Sequence, residues 1–404
     1  MSGMCWKEKG FIQKGCTSMW IEGRLVESNQ MVRLEVADGM IGRIEAASAA
    51  SAIWIAPGWL DIQVNGYAGH DVNGPDVTPE AIIALTHSLW QRGVTAFCPT
   101  VITESEEAIC HSLHAITAAC EADSRVAHSI PCVHIEGPAI SPEDGPRGAH
   151  PIEHVRVPSL VEYHRWQVAA KGRVGLITLA PEYPQACEYI RALHADNVVV
   201  AIGHTAASAE QIQAAVNAGA CLSTHLGNGA HAQLKRHPNY IWEQLAEDRL
   251  AASFICDGHH LSPSVMKAML RAKGTERAIL VSDAVAIAGL TPGIYDTSVG
   301  GRVELLPGGR LNLYGTPLLA GSVSSLPECL ANVLHYTDVT LAEAVRMAST
   351  NPVRLLSLDE RAKRGTVRSG RSADLTLFRF DAETKAIIIE ATIVQGEVVY
   401  QRHE

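Results

Sequence analysis

Glu136, His204, His225 and Asp283 each follow a short apolar run, and together they offer two imidazoles and two carboxylates. Side chains of these types bind divalent metals and move protons. A hydrolytic metal site needs a few N or O ligands and an open position at which water loses a proton near neutral pH. Glu136, His204 and His225 supply such a set once the fold brings them together. Asp283 is a candidate general base and acid, taking a proton from the attacking water and passing it to a leaving amine. Its other reading is a helix N-cap, because an Asp carboxylate accepts backbone N–H bonds there.

The runs ahead of these residues are 130–135, 198–202, 220–224 and 279–282, and four more of the same texture lie at 59–64, 94–98, 174–179 and 252–256. Each has strand length, is rich in apolar residues and closes on Gly, Pro or a polar cluster. Continuously apolar strands belong to parallel sheets covered by helices on both faces. Ala- and Leu-rich stretches at 79–91, 104–122, 208–218 and 262–273 read as the connecting helices, and 325–336 and 341–348 as the last ones. Eight strands alternating with helices predict an α/β fold, a (β/α)8 TIM-like barrel over 57–356. Catalytic groups of that architecture sit at the C-terminal ends of the strands, where all four residues fall.

The remaining chain has another texture. Residues 1–16 read as a loosely ordered leader, and 17–56 together with 357–404 as a small β-sandwich domain built from both chain ends. A Gly-rich β insertion is expected near 290–315.

A chain of 404 residues, 47% hydrophobic and 19% charged, can bury a large core and exceeds one ordinary barrel. Its net charge of −10 argues against a nucleic-acid backbone as the main partner while leaving room for a local basic patch that holds one small anion. The ten cysteines include no Cys-x-x-Cys pair and read as small core hydrophobes in a reducing compartment. No run of about 18 apolar residues suggests a membrane span, so a cytoplasmic setting is expected.

The neighbours of these residues form a recognisable pattern. Residues 56–66, 134–138, 203–205, 224–226, 257–260, 281–284, 319–322 and 370–375 follow one another in the order and spacing of the amidohydrolase superfamily, and the chain resembles its N-acetylglucosamine-6-phosphate deacetylases. The resemblance implies deacetylation of N-acetylglucosamine 6-phosphate to glucosamine 6-phosphate and acetate. It further implies His150 as the loop histidine that meets the acetyl carbonyl, where an imidazole supports a developing oxyanion. Asn228, Gly229, Arg236 and His260, with Leu319, Ala320 and Gly321, match substrate-binding positions. Arg236 falls at a phosphate-binding arginine that reaches a neighbouring subunit's site, which implies a homodimer. Read from the residues alone, Lys235, Arg236 and His237 are equally a solvated surface run.

Two departures sharpen this. Most of the superfamily has His-x-His after the first strand, whereas Gln63 and Asn65 stand here. Amides are poor ligands for a transition metal, so one divalent ion per chain is expected, zinc first, with iron(II) and others also suited to the donors. Alternatively, Gln63 and Asn65 are only a strand end and its turn. The second departure follows Thr224 to Leu226, where residues 227–231 replace the usual aromatic-Asn-Ala-Met continuation and add His231 beside the expected sugar site. That change keeps open another N-acyl amino sugar, such as N-acetylgalactosamine 6-phosphate. A third alternative is a barrel that has lost catalysis and only binds.

Overall fold

The computed structural model describes residues 11–14, 18–48, 51–298 and 300–403. Eight parallel strands follow chain order around a barrel: Trp59–Val64, Val94–Ile102, Val133–Glu136, Val174–Leu179, Val199–Ile202, Leu222–Ser223, Ala251–Ile255 and Ala278–Val281. They coincide with the eight apolar runs. The first and last strands meet through a parallel bridge between Val64 and Ala284, and the Asp283 N–H donates to the Gln63 carbonyl at 3.0 Å.

The helices between strands are set by their first turns. Thr78 caps Pro79–Trp90, with the fixed φ of proline suited to the first turn, and Ser208 forms a reciprocal capping box with Gln211 ahead of Ala209–Ala218. One end of the barrel is plugged. Leu60, Leu176, Leu222 and Ile279 share a core with Val353 and Leu358 from the last helical segments, Thr350–Leu355 and Leu358–Arg361, and with Leu356 between them. The opposite end, where the strands terminate, stays open.

The β insertion is a three-stranded antiparallel sheet of Gly293–Thr297, Gly301–Leu305 and Leu311–Leu313. It closes over its own small core with Val285, Ile287 and Ala320. The two chain ends make a separate β-sandwich domain from one eight-stranded sheet. Within it Leu375–Phe380 lies antiparallel to Trp54–Pro57, and Trp54–Pro57 parallel to Met19–Leu25. Of the expected leader, residues 1–10, 15 and 16 lie outside the described residues, whereas Ile12–Lys14 pairs with Met19–Leu25 as a strand.

Asp374 bolts sheet to barrel. The His128 Nε2–H, on the short helix Ser124–Ser129, donates to it at 2.9 Å, and the Arg364 Nε lies 3.1 Å away. The Gln395 N–H adds a bond at 2.9 Å. Burial alone raises the pKa of this carboxyl, but the His128 hydrogen bond and the Arg364 charge outweigh it and hold it at about 2. Asp374→Ala leaves buried Arg364 unpaired, and is expected to cost about 3–5 kcal/mol in chemical denaturation. Because the folded pKa lies below the ordinary value of 3.8, the wild-type contribution is full above that pH and fades as pH falls toward 2. The gap between wild type and variant should therefore close in acid; a constant gap from pH 7 to pH 2 would contradict this account.

Candidate active site

Glu136 is the last residue of the third barrel strand, and His204, His225 and Asp283 each lie two residues past the fifth, sixth and eighth. Three of the four turn sharply as they leave the sheet: φ is +51° at His204, +27° at His225 and +48° at Asp283. Such values are uncommon for residues with a Cβ and cluster at functional sites, where surrounding structure holds the strain. Here the Asp283 N–H bonds the Gln63 carbonyl and the His225 N–H the Ser253 hydroxyl at 2.7 Å.

The turns aim the side chains at one point. His225 Nε2 is 2.9 Å from Glu136 Oε1, His204 Nε2 is 3.3 Å from the same oxygen, and the two Nε2 atoms are 3.1 Å apart. Ligand atoms around a tetrahedral ion with bonds near 2.1 Å are about 3.4 Å apart. The tautomer also fits. His204 Nδ1–H donates to the Pro146 carbonyl at 2.8 Å, so its Nε2 turns a lone pair inward, as the outer hydrogen bond of a metal-binding imidazole does. Burial pushes the Glu136 carboxyl up, yet the hydrogen bonds and charges of His204 and His225 hold it well below its usual range. Burial likewise lowers the His225 pKa while Glu136 more than compensates and raises it. The cluster thus favours a positive charge at its centre, a proton or a metal ion.

Gln63 and Asn65 occupy the places beside this cluster. A carboxylate only accepts, so both amides present NH2 groups: Gln63 Nε2 donates to Glu136 Oε1 at 2.9 Å and Asn65 Nδ2 to Asp283 Oδ1 at 2.7 Å. They are more than a strand end, since each orients a carboxylate of the site. Asp283 starts no helix, so its N-cap reading falls away. It keeps some exposure through the cavity, but crowding by protein and the Glu136 charge push its pKa up to about 6.

Asn65, Glu136, His204, His225 and Asp283 line a cavity of about 210 Å3 together with His150, Asn228, Gly229, His260, Leu319 and Gly321. His150 stands edge-on to His204, with centroids 4.4 Å apart, and burial together with the neighbouring histidines lowers its pKa to about 3, so it is neutral. Its buried Nδ1 has no partner among the described residues. His260 is oriented by Asp257, Nδ1 to Oδ2 at 2.7 Å, and Asp257 also accepts the backbone N–H groups of His259 and His260. Gly229 has φ +55°, and a Cβ there would stand 2.7 Å from His204 Nδ1, so only glycine lets the loop lie on that ring.

Two expected residues are not in the cavity. Ala320 is fully buried in the core of the insertion, and Arg236 lies on an exposed stretch with no side-chain hydrogen bond or ion pair among the described residues. His231 is also absent from the lining. Its Nε2 meets Glu143 at 3.0 Å and its Nδ1 the Tyr240 hydroxyl at 3.0 Å, so it ties the 227–231 loop to the loop that carries Pro146. The extra polar group expected near the sugar is thus used between loops. Sequence reasoning missed Asp257, which orients His260, and the Pro146 carbonyl; an Asp three residues before a histidine was a visible signal for the first.

The amidohydrolase family matches residues 54–399. The N-acetylglucosamine-6-phosphate deacetylase of Bacillus subtilis is 30% identical over 86% of this chain and 84% of its own length. The N-acetylgalactosamine-6-phosphate deacetylase of Escherichia coli O157:H7 is 31% identical over 91% of this chain and 94% of its own. Among solved structures, a mutant N-acetyl-D-glucosamine-6-phosphate deacetylase from Mycobacterium smegmatis, in complex with N-acetyl-D-glucosamine-6-phosphate, superposes with a TM-score of 0.81 at 26% identity, covering 91% of this chain and 94% of that one. With the family matched from the end of the N-terminal sheet segment into the C-terminal one, this chain belongs to the amidohydrolase family and is a metal-dependent hydrolase of carbon–nitrogen bonds.

Proposed function

We propose that this chain hydrolyses the N-acetyl group of N-acetylglucosamine 6-phosphate, giving glucosamine 6-phosphate and acetate. The observation that carries the reading is the convergence of Glu136, His204 and His225 beside Asp283 and His150 in one cavity. Glu136, His204 and His225 would hold one divalent ion, zinc by the chemistry of the donors, and Gln63 and Asn65 supply amides where a second ion would need ligands. Such an ion supplies Lewis acidity. Asp283, held by Asn65, takes the proton of the attacking water and returns it to the nitrogen that leaves. His150, being neutral, offers an N–H to the developing oxyanion instead of a full proton.

His260, fixed by Asp257, and Asn228 with the Gly229 backbone bind sugar or phosphate, and Leu319 and Gly321 shape the wall. The exposed Arg236 supports a homodimer in which it serves the neighbouring site's phosphate. A cytoplasmic setting is part of the proposal, supported by the eight described cysteines being free. No helix among the described residues is long and apolar enough to cross a membrane. The second reading, N-acetylgalactosamine 6-phosphate, is favoured by the rebuilt 227–231 loop and by the Escherichia coli relative.

Acetate release tests both. Two charge-assisted contacts to phosphate at about 1.5–3 kcal/mol each predict at least a 10²-fold higher kcat/KM for phosphorylated than for unphosphorylated N-acetylglucosamine. Equal turnover of the two would sink the phosphate assignment, and faster turnover of the galacto epimer would select the second reading.

A further inference from the structure

Away from the catalytic cavity, a second cavity of about 310 Å3 opens where the last helices, the 362–374 connection and the turn after Met19–Leu25 meet. Two of its helices, Thr350–Leu355 and Leu358–Arg361, plug the closed end of the barrel, Leu341–Ala348 is the third, and the cavity shares no lining residue with the catalytic one. Five arginines line it: Arg346, Arg354, Arg364, Arg368 and Arg371. In a chain of net charge −10 this is a marked local reversal of sign. Like charges gathered in a concave site repel and focus a positive potential, which disfavours the folded state unless something neutralises it.

The protein neutralises it only in part. Three carboxylates share the lining, on Glu27, Glu276 and Asp359. Glu276 pairs with Arg346, while Glu27 reaches Arg368 only at 3.5 Å and in solvent, where a pair contributes little. Asp359 offers Arg371 its backbone carbonyl, at 2.6 Å, and its carboxylate pairs with no arginine among the described residues. Arg354 has no side-chain hydrogen bond or ion pair among the described residues. Arg364 is the deepest, its side chain 7% exposed. Its Nη2 donates to the His128 carbonyl and Asp374 is an ion-pair partner 3.1 Å from its Nε, but that buried Nε makes no hydrogen bond, and neither does Nη1, among the described residues. The Thr366 hydroxyl, also in the lining, is buried and unpartnered.

We infer that this cavity is a second ligand site, for the dianion of a phosphate group, free or esterified. Arg354 and Arg371 are two guanidiniums without carboxylate partners, matching the two negative charges of phosphate. Their planar forks suit its oxygens in paired hydrogen bonds, and Arg364 Nη1 and the Thr366 hydroxyl complete the donors. At 310 Å3 against 210 Å3 for the catalytic cavity, the site has room for an ester as well as for the free ion. Because Arg364 is held by Asp374, a ligand on it braces the joint between sheet domain and barrel.

Calorimetric titration of the metal-loaded protein with inorganic phosphate, and separately with glucosamine 6-phosphate, tests this on wild type, Arg354→Gln/Arg371→Gln and Arg354→Glu. The expected result is at least a tenfold weaker Kd for inorganic phosphate in the double variant, with acetate release in phosphate-free buffer within twofold of wild type. If the ester is also a ligand, glucosamine 6-phosphate fills one site more per chain in wild type than in the double variant; a difference confined to the inorganic ion makes free phosphate the ligand. Arg354→Glu, altered at an exposed position, is expected to weaken binding similarly and decides the matter should the double variant fail to fold. Unchanged affinity and stoichiometry for both ligands in the folded variants would overturn the inference.

Discussion

Asp283→Asn is expected to lower kcat for deacetylation by about 10³-fold, within the 10²- to 10⁴-fold range typical of a positioned proton-transfer group, while leaving metal content and thermal stability close to wild type. The substitution keeps the shape and the contact: Asn65 Nδ2 donates to Asp283 Oδ1 at 2.7 Å, and a side-chain amide oxygen at position 283 can accept the same bond. What it removes is the lone pair that takes a proton at neutral pH. An amide cannot play that part, so the loss should appear in kcat and far less in KM. Single-turnover acetate release with elemental analysis separates the two explanations for a loss. A variant that keeps its metal and turns over within tenfold of wild type would remove Asp283 from proton transfer.

The other large effect belongs to Glu136. Glu136→Gln is expected to bring bound metal from one per chain to less than about a tenth, and to reduce turnover by on the order of 10³-fold or more, since ligand set and Lewis acid are lost together. Glu136 is the only anion among the three proposed ligands and stands within 3.3 Å of both imidazole Nε2 atoms. Without its charge two inward imidazoles 3.1 Å apart face each other with no carboxylate to balance a cation. Wild type stripped by a chelator should behave alike, except that one equivalent of metal restores it. Full metal occupancy in the variant would refute this ligand assignment, and two ions per wild-type chain would contradict the part given to Gln63 and Asn65.

Much of this was legible in the chain. The eight strands could be read because a parallel strand covered on both faces must be apolar throughout, and runs such as 174–179 and 279–282 have no other comfortable environment. Placing Glu136, His204, His225 and Asp283 at strand ends followed, since a charged group is tolerated only where the strand leaves the core. Less legible were the partners of these residues. Gln63 reads as a missing ligand, yet its hydrogen bond to Glu136 crosses 73 positions in sequence, and the Asn65 bond to Asp283 crosses 218. His231 reads as a polar group for the sugar, but Glu143 and Tyr240 hold both its nitrogens, a pairing across loops that no local pattern encodes.

By itself, then, the sequence determined the alternation of buried strands and amphipathic helices, the ends at which chemistry could occur, and the donor types there. These follow from short-range patterning, because burial and chain period are properties of consecutive residues. Tertiary structure alone decided that three side chains meet at one oxygen, that the strand-end backbone takes up positive φ to aim them, and which carboxylate each amide orients. It also gathered arginines from three helical and loop segments into a pocket at the closed end of the barrel. The reason is closure: joining the first strand to the eighth turns separations of hundreds of residues into distances of about 3 Å, where hydrogen bonds and ion pairs act.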